Sequence, residues 1–466
     1  MKIIELSNLF KNPNEHTEQV TVHGWIKSTR DSGKISFIEI NDGSSILNLQ
    51  IVAKANGTEG YEQTIKMART GSAIIATGII KLTEKADGKI ELVASIIKIL
   101  KQAHEDYPLQ KKQHSMEFLR EIAHLRPRTK TISAIMTVRS KLAYAIHNFF
   151  QESGFLWVAA PIITANDAEG AGENFTIHQD PTKPFFDKTA SLTVSGQLNA
   201  EAYAQAFKKV YTFGPTFRAE RSHTNRHASE FWMVEPEIAF IDLTQLQYII
   251  ESFIKFITRY VNEHCPEEIK YVSATKPHII DRINQILTAE FVRVDYATGI
   301  ELLEKAVKDG YEFEDKDIYF GKDLSSEHER YLCEKVYNAP IFLQNFPKEI
   351  KAFYMKQNDE TKSYKGTNIR NVSGATVAAC DLLVPGVGEI VGGSQREDDY
   401  DKLMQRVKEL NIDVTSIQWY IDLRKYGYFS SAGFGLGFER MIMYILDVEN
   451  IRDTIPFPRT NGSLNF

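Results

Sequence analysis

Cysteine is scarce in this chain of 466 residues: Cys265, Cys333 and Cys380 are all there is. Three scattered thiols fit neither a disulfide framework nor a zinc spacing, so free core cysteines in a reducing cytosol are expected. Long apolar runs are also missing, and nothing approaches the ~20 residues that cross a bilayer. The opening stretch from Met1 to Phe10 carries Glu5 inside its apolar residues and no cleavage site, so neither a membrane span nor a secretory leader is expected, and a cytoplasmic location is. Basic excess is lacking as well: 55 Lys and Arg stand against 61 Asp and Glu, a net charge of -6. The field of the whole molecule therefore does not attract phosphate, and any nucleic-acid contact must come from local cationic patches. With 43% hydrophobic and 25% charged residues the composition is that of a globular protein, and the length exceeds one core, which implies two or three domains.

The first hundred residues hold five short β runs, at 20–27, 35–40, 46–52, 72–81 and 90–99, punctuated by Asp-Gly and Ser-Gly turns, with a helical stretch at about 57–70 between the third and fourth. That order predicts the partly open barrel of an OB fold, a scaffold that commonly binds oligonucleotides. We bound this domain at 1–102, follow it with a polar, basic hinge at 103–130, and assign 131–466 to a second domain.

Two arginines carry the chemistry of that second domain. Arg218 ends Val210-Tyr-Thr-Phe-Gly-Pro-Thr-Phe-Arg-Ala-Glu220, a buried-strand pattern that passes through a polar loop into a second run, Glu230 to Phe240. Arg440 ends Gly433-Phe-Gly-Leu-Gly-Phe-Glu-Arg440, a glycine-rich strand leading into an amphipathic helix, where free backbone amides favour anions. Either block alone is also what a tight turn with a salt-bridged arginine looks like. Together they read as two planar, permanently charged clamps on a polyphosphate.

The pair resembles motif 2 (about 210–240) and motif 3 (about 433–460) of the class II aminoacyl-tRNA synthetases, and the helix, strand and proline over 131–161 resemble motif 1. The resemblance implies an α+β fold: an N-terminal OB barrel and a catalytic domain built on an antiparallel sheet flanked by helices, with motif 1 forming a homodimer interface. It implies ATP as a substrate, with Arg218 at the α-phosphate, Arg440 at the far phosphate, Glu220 reading the adenine edge, Phe231 stacking beneath the ring, His227 touching the phosphates, and Gly435 and Gly437 in the nucleotide site. His227 is equally readable as an ordinary loop histidine. A barrel placed before the catalytic domain resembles the subgroup charging aspartate, asparagine and lysine, which implies that Phe37 and Gln50 read the anticodon by stacking and an edge contact. Arg30 is a candidate phosphate or base contact, and equally a solvated surface arginine.

The residues between the motifs resemble the asparagine-charging members of the subgroup. Glu169, in the loop Ala165 to Phe175, matches the acid that holds the substrate ammonium. In Thr193-Val-Ser-Gly-Gln-Leu-Asn-Ala-Glu201 the lysine position of the aspartate enzymes is Ala200, and Glu201 matches an acid that accepts from a side-chain amide; Ser195 and Gln197 complete that segment. A carboxylate there would welcome an amide and repel aspartate. Arg396 matches the arginine that contacts the substrate side-chain oxygen. Asp381 and Glu389 flank a Pro-Gly-Val-Gly turn, so a hairpin would bring two carboxylates together as an oxygen site for Mg2+. Glu389 and Arg396 are an odd number of residues apart, which strict alternation puts on opposite faces; Gly392-Gly393 is the expected kink.

The partners implied are L-asparagine, ATP and tRNA(Asn), with no membrane. Residues 357–376 are expected to form a flexible polar excursion. Two departures from the family pattern stand out: Arg221 where Asn is frequent, and Ser430-Ser431 before motif 3. The rival readings are an aspartate-charging enzyme and, more remotely, a non-catalytic RNA-binding relative.

Overall fold

The computed structural model describes residues 3–86, 88–166, 174–178, 182, 185–186, 188–222 and 224–466. The chain divides into two compact units, Met1–Ala134 and Ile135–Phe466.

In the first unit β1 (Val20–Asp31), β2 (Ile35–Asn41), β3 (Leu49–Lys54), β4 (Ala73–Leu82) and β5 (Ile90–Lys101) close a barrel in the order β1-β2-β3-β5-β4. Strict alternation along β2 turns Ile38 and Ile40 inward, onto a core with Val22, Leu49, Ile51, Ile74 and Leu92, and leaves Phe37 and Glu39 on the outer face. The helix Tyr61–Met67 lies between β3 and β4, as the spacing predicts. The third strand begins three residues later than the β pattern suggests, because the Asn41 side-chain amide donates to the carbonyls of Ser45 and Leu47 and holds that stretch in a loop. The basic segment before residue 130 packs on the barrel. Lys27 Nζ donates to the Arg128 carbonyl at 2.8 Å, and the Arg128 guanidinium lies 5.7 Å from the Trp25 ring and 5.6 Å from the Tyr107 ring.

In the second unit an eight-stranded sheet runs β12-β13-β14-β15-β16-β11-β10-β6, from β6 (Leu156–Trp157), β10 (Lys209–Phe217), β11 (Glu230–Ala239), β12 (Val292–Asp295), β13 (Ile341–Pro347), β14 (Thr376–Val384), β15 (Gly388–Gln395) and β16 (Ser431–Gly437). All neighbours are antiparallel except at the two edges, where β12 pairs parallel to β13 and β6 parallel to β10. A second, three-stranded sheet joins β7 (Ile163–Thr164), β8 (Thr176–Ile177) and β9 (Ala190–Leu192) in the order β7-β9-β8. The long helix Lys130–Glu152 precedes β6, but the strand expected over 154–161 shrinks to two residues: Leu156 and Trp157 pair with Val210 and Tyr211 of β10, and the last bond to that strand is from the Val158 amide to the Tyr211 carbonyl at 2.8 Å. Leu156 and Trp157 stay 42% and 48% exposed at the edge of the eight-stranded sheet, and Ile162 and Ile163, at 43% and 47%, lie at the edge strand β7 of the three-stranded one.

Residues 357–376 are not the flexible excursion that their polarity suggests. Tyr364 stacks on Phe320 with centroids 4.1 Å apart, Ile369 bridges Phe320, and the Asn358 side-chain amide donates to Asn345 and Thr376. Tyr364, Ile369 and Val372 pack against the core behind β13, so the polar composition serves an internal hydrogen-bond network.

Candidate active site

β10 and β11 pair from Lys209↔Ile238 to Phe217↔Glu230, which delivers Arg218 at the end of one strand beside Phe231 near the start of the next. The Arg218 guanidinium lies over the Phe231 ring at 5.4 Å, and its Nη1 is 3.8 Å from Glu220 Oε1. His227, from the connecting loop, lies 3.6 Å from Glu220 Oε2. Burial, helped by Arg440, Arg218 and Arg226, holds this imidazole below its ordinary value despite Glu220, so it is neutral at pH 7. β16 pairs with both β11 and β15 and runs into the helix Phe438–Leu446, which places Arg440 in the first turn, its Nη1 3.3 Å from the Glu389 carbonyl. One cavity is lined by Arg218, Glu220, Arg226, His227, Phe231, Glu389, Gly435, Gly437 and Arg440. Gly435 leaves the floor open, since a Cβ there would stand 2.7 Å from Met233 Cε.

A second cavity is lined by Ser195, Gln197, Arg218, Glu235, Lys351, Tyr354, Asp381, Glu389 and Arg396. The two cavities share Arg218, Met233, Glu389 and Gly435, so they are contiguous, and Arg218 stands at their junction. Glu235 accepts from Ser195 Oγ, the Gly196 amide at 2.9 Å and Thr212 Oγ1 at 2.9 Å. The side-chain nitrogen Nε2 of Gln197, buried at the wall, has no hydrogen-bond partner among the described residues, while its backbone amide donates to Ser195 Oγ at 3.1 Å. Arg396 is held bidentately, Nε and Nη2 donating to Glu237, while Nη1 donates to Ser394 Oγ at 2.6 Å. Burial pushes the Glu237 carboxyl up, and the bidentate guanidinium opposes that shift and keeps the two as an ion pair.

Glu389 and Arg396 do reach the same cavity, but the kink is elsewhere than expected. Leu382 pairs with Val391 and Leu383 with Glu389, so the extra residue is Ile390, a β-bulge, while Asp381↔Gly392 and Cys380↔Gly393 keep regular register. The glycine pair serves packing instead: a Cβ on Gly393 would lie 2.9 Å from that of Phe434. On Gly392 it would lie 3.2 Å from Glu389 Oε1 and 3.5 Å from Asp381 Oδ1, so both carboxylates converge over this glycine. Two hard oxygens converging there fit Mg2+, with phosphate and water supplying the remaining positions. The other oxygen of Asp381 accepts from Lys351 Nζ at 2.6 Å, and burial pushes its carboxyl up to about 6 in spite of that ammonium.

Glu201 does not belong to this cavity. It is fully buried, accepting from Tyr420 Oη at 2.9 and 2.8 Å, Tyr428 Oη at 2.6 Å and Arg424 Nη2 at 2.6 Å. Gln197 and Glu201 are i and i+4 on the helix Gln197–Phe207 and share one face, but Glu201 sits a full turn further along the axis, where Tyr420, Tyr428 and Arg424 take up its oxygens. Ser430 and Ser431 are likewise committed, Ser430 Oγ to the Ile241 carbonyl and Ser431 Oγ to Tyr428. Glu169 lies outside the described residues; the flanking strands β7 and β8 both pair with β9. On the barrel, Arg30 sits opposite Phe37 with its guanidinium 4.6 Å from the ring, and Gln50 Nε2 donates to Glu91 at 3.4 Å.

Lys351, Tyr354, Glu235 and Glu237 were not legible as site residues. The first two come from the connection between β13 and β14, which carries no recognisable pattern. The two acids alternate at i and i+2 within a strand, and a pair of buried carboxylates on one face was the signal available.

A family model described as tRNA synthetases class II (D, K and N) matches residues 115–461, and one described as an OB-fold nucleic acid binding domain matches residues 20–100. The asparagine–tRNA ligase of Malacoplasma penetrans is 51% identical over 468 residues, covering 100% of both chains, and that of Mycoplasma mycoides subsp. mycoides SC is 53% identical over 454 residues, 96% of this chain and 97% of the other. The crystal structure of asparaginyl-tRNA synthetase from Pyrococcus horikoshii complexed with asparaginyl-adenylate superposes with a TM-score of 0.87 at 32% identity, over 100% of this chain and 99% of the other. The Entamoeba histolytica asparaginyl-tRNA synthetase gives 0.82 at 26% identity, over 96% and 97%. With its barrel, its two joined cavities and both arginine blocks in place, the chain belongs to the class II tRNA synthetases of the D, K and N group and, within them, to the asparagine–tRNA ligase family.

Proposed function

We infer that the chain activates L-asparagine with ATP and passes the asparaginyl group to the 3′ end of tRNA(Asn). The observation that carries the reading is the junction: the nucleotide cavity and the amino-acid cavity meet at Arg218, where an α-phosphate would face a substrate carboxylate. That carboxylate attacks the α-phosphorus, the bond to the β-phosphate oxygen breaks, and pyrophosphate leaves. Arg218 neutralises charge at the reacting phosphorus, Arg440 holds the far phosphate, and Phe231 and Glu220 seat the adenine. No side chain moves a proton in this step; positioning and fixed charge supply the acceleration. Mg2+ held by Asp381 and Glu389 would screen the phosphate charges. The terminal ribose hydroxyl of the tRNA then attacks the asparaginyl carbonyl and AMP departs.

Glu235, already fixed by three donors, lines the cavity in which the substrate ammonium would sit, and the role of Glu169 rests on the family resemblance. The side-chain amide of Gln197 is a donor awaiting a substrate oxygen. Discrimination against aspartate rests on the Arg396–Glu237 pair: a guanidinium alone attracts a carboxylate, but one neutralised by a buried carboxylate offers a neutral amide a donor without favouring added negative charge. Glu237→Gln leaves the arginine uncompensated, and the asparagine-to-aspartate ratio of kcat/KM in ATP–pyrophosphate exchange is expected to fall by about tenfold or more, roughly 1.4 kcal/mol. An unmoved ratio would place selectivity elsewhere. Run on the parent protein, the same assay decides between asparagine and aspartate as the substrate.

The barrel reads the anticodon through Phe37, with Gln50 and Arg30 beside it on the outer face. Phe37→Ala is expected to weaken charging of full-length tRNA by about 1 to 3 kcal/mol while leaving pyrophosphate exchange intact, because exchange needs no tRNA. Equal charging by both proteins would remove this ring from anticodon reading. The exposed apolar residues Leu156, Trp157, Ile162 and Ile163 support a homodimer built on motif 1. Free, buried cysteines and the lack, among the described residues, of any helix long and apolar enough to cross a membrane accord with work in the cytoplasm.

A further inference from the structure

The turn that joins the two carboxylates of the proposed metal site is gripped from behind by a segment with no part in the chemistry described so far. The Glu389 amide donates to Glu329 Oε2 at 3.1 Å, and the Gly386 amide donates to Glu334 Oε1 at 2.7 Å. Gly386 and Gly388 both have positive φ, +82° and +85°, and a Cβ on Gly388 would lie within 2.4 Å of Glu329 Oε2, so the turn and the acid approach as closely as glycine permits. The short helix Ser326–Tyr331 that carries Glu329 is itself anchored. His328, fully buried, caps its start with Ser325 and bonds the Asp315 carbonyl, and Glu327 accepts the amides of Glu314 and Asp315. From the same helix Ser326 Oγ accepts from Arg226 Nη1 at 2.6 Å, and Arg226 belongs to the loop between Arg218 and Phe231 and lines the nucleotide cavity.

We propose that Glu329, with Glu334, is a positioning residue that sets Glu389 beside Asp381 and, through Ser326 and Arg226, keeps the metal hairpin in register with the nucleotide loop. The inference rests on the reading of Asp381 and Glu389 as Mg2+ ligands. A helix that bonds both the hairpin backbone and the loop side chain lets neither move without the other, whereas two independent loops would have to be ordered at each binding event.

The test measures Mn2+ affinity by electron paramagnetic resonance on the full chain with a non-hydrolysable ATP analogue, and asparagine affinity without nucleotide by thermal shift. Glu329→Ala removes the acceptor and is expected to weaken Mn2+ binding by about 10- to 100-fold, while Glu329→Gln, which keeps an acceptor oxygen, restores most of it. Asparagine affinity stays unchanged in both. Glu334→Ala, which releases the other turn amide, gives the same direction and serves if Glu329→Ala fails to fold. Glu389→Gln is the control: if it binds Mn2+ normally, the metal reading itself falls. If the control loses Mn2+ but Glu329→Ala and Glu334→Ala keep it, the positioning role is overturned. A Glu329→Gln variant as weak as Glu329→Ala overturns it too, because charge and not the hydrogen bond would then be what matters.

Discussion

Arg218→Ala reduces asparaginyl-adenylate formation by about 10²- to 10³-fold, a loss of roughly 3 to 4 kcal/mol of transition-state stabilisation, without unfolding the chain. The magnitude follows from where the guanidinium stands. It lies at the meeting point of the two cavities, on the end of β10, over the Phe231 ring, so it is preorganised and needs no rearrangement as charge builds on the reacting phosphate. Its side chain is 30% exposed, so its removal leaves no charge stranded in the core. Arg440→Ala is expected to act in the same direction and more on ATP than on asparagine, because Arg440 lines the nucleotide cavity and not the second one. Pyrophosphate exchange against ATP and asparagine concentration, with circular dichroism as the fold control, measures both. Near-parental exchange in a folded double variant would end the assignment of these arginines.

Glu201→Ala behaves differently: it destabilises the second unit by about 3 to 5 kcal/mol, the scale for removing one partner of a buried charge pair. Arg424, with its guanidinium completely shielded, would lose its carboxylate, and the hydroxyls of Tyr420 and Tyr428 would lose their acceptor. Burial already raises both tyrosines, so neither can supply the missing negative charge by ionising near neutral pH. Ala200→Lys is expected to damage folding as well, because Ala200 is fully buried with Val158, Ala204 and Val210, where an ammonium finds no partner. Urea unfolding monitored by tryptophan fluorescence reads both effects. An unchanged midpoint combined with a shifted asparagine-to-aspartate ratio would return Glu201 to the substrate pocket.

The contrast between Glu201 and Glu237 shows how far a sequence can be read. Both are acids near the amino-acid cavity, and the resemblance pointed to the first because it follows the altered lysine position. It lies one helical turn beyond Gln197, past the cavity wall, and three donors converge on it. Glu237 carries no role in the linear sequence; the pairing of β16 with both β11 and β15 brings Arg396, just past β15, onto it. Similarly, the parity of Glu389 and Arg396 revealed that a kink was needed, but the bulge fell at Ile390, set by the pairing with β14.

Local pattern by itself determined the five-stranded barrel, the two arginine blocks and the hairpin of Asp381 and Glu389, because alternation, glycine turns and charge spacing act over a few residues and survive in the linear string, and the resemblance of those blocks to known motifs pointed to the family. Only the tertiary structure decided which acid lines the second cavity, that residues 357–376 are packed onto Phe320 and the β13 core, and that Glu329 and Glu334 hold the turn between β14 and β15. Those outcomes depend on contacts between segments tens to hundreds of residues apart, where burial and hydrogen-bond satisfaction, rather than local propensity, choose the partner.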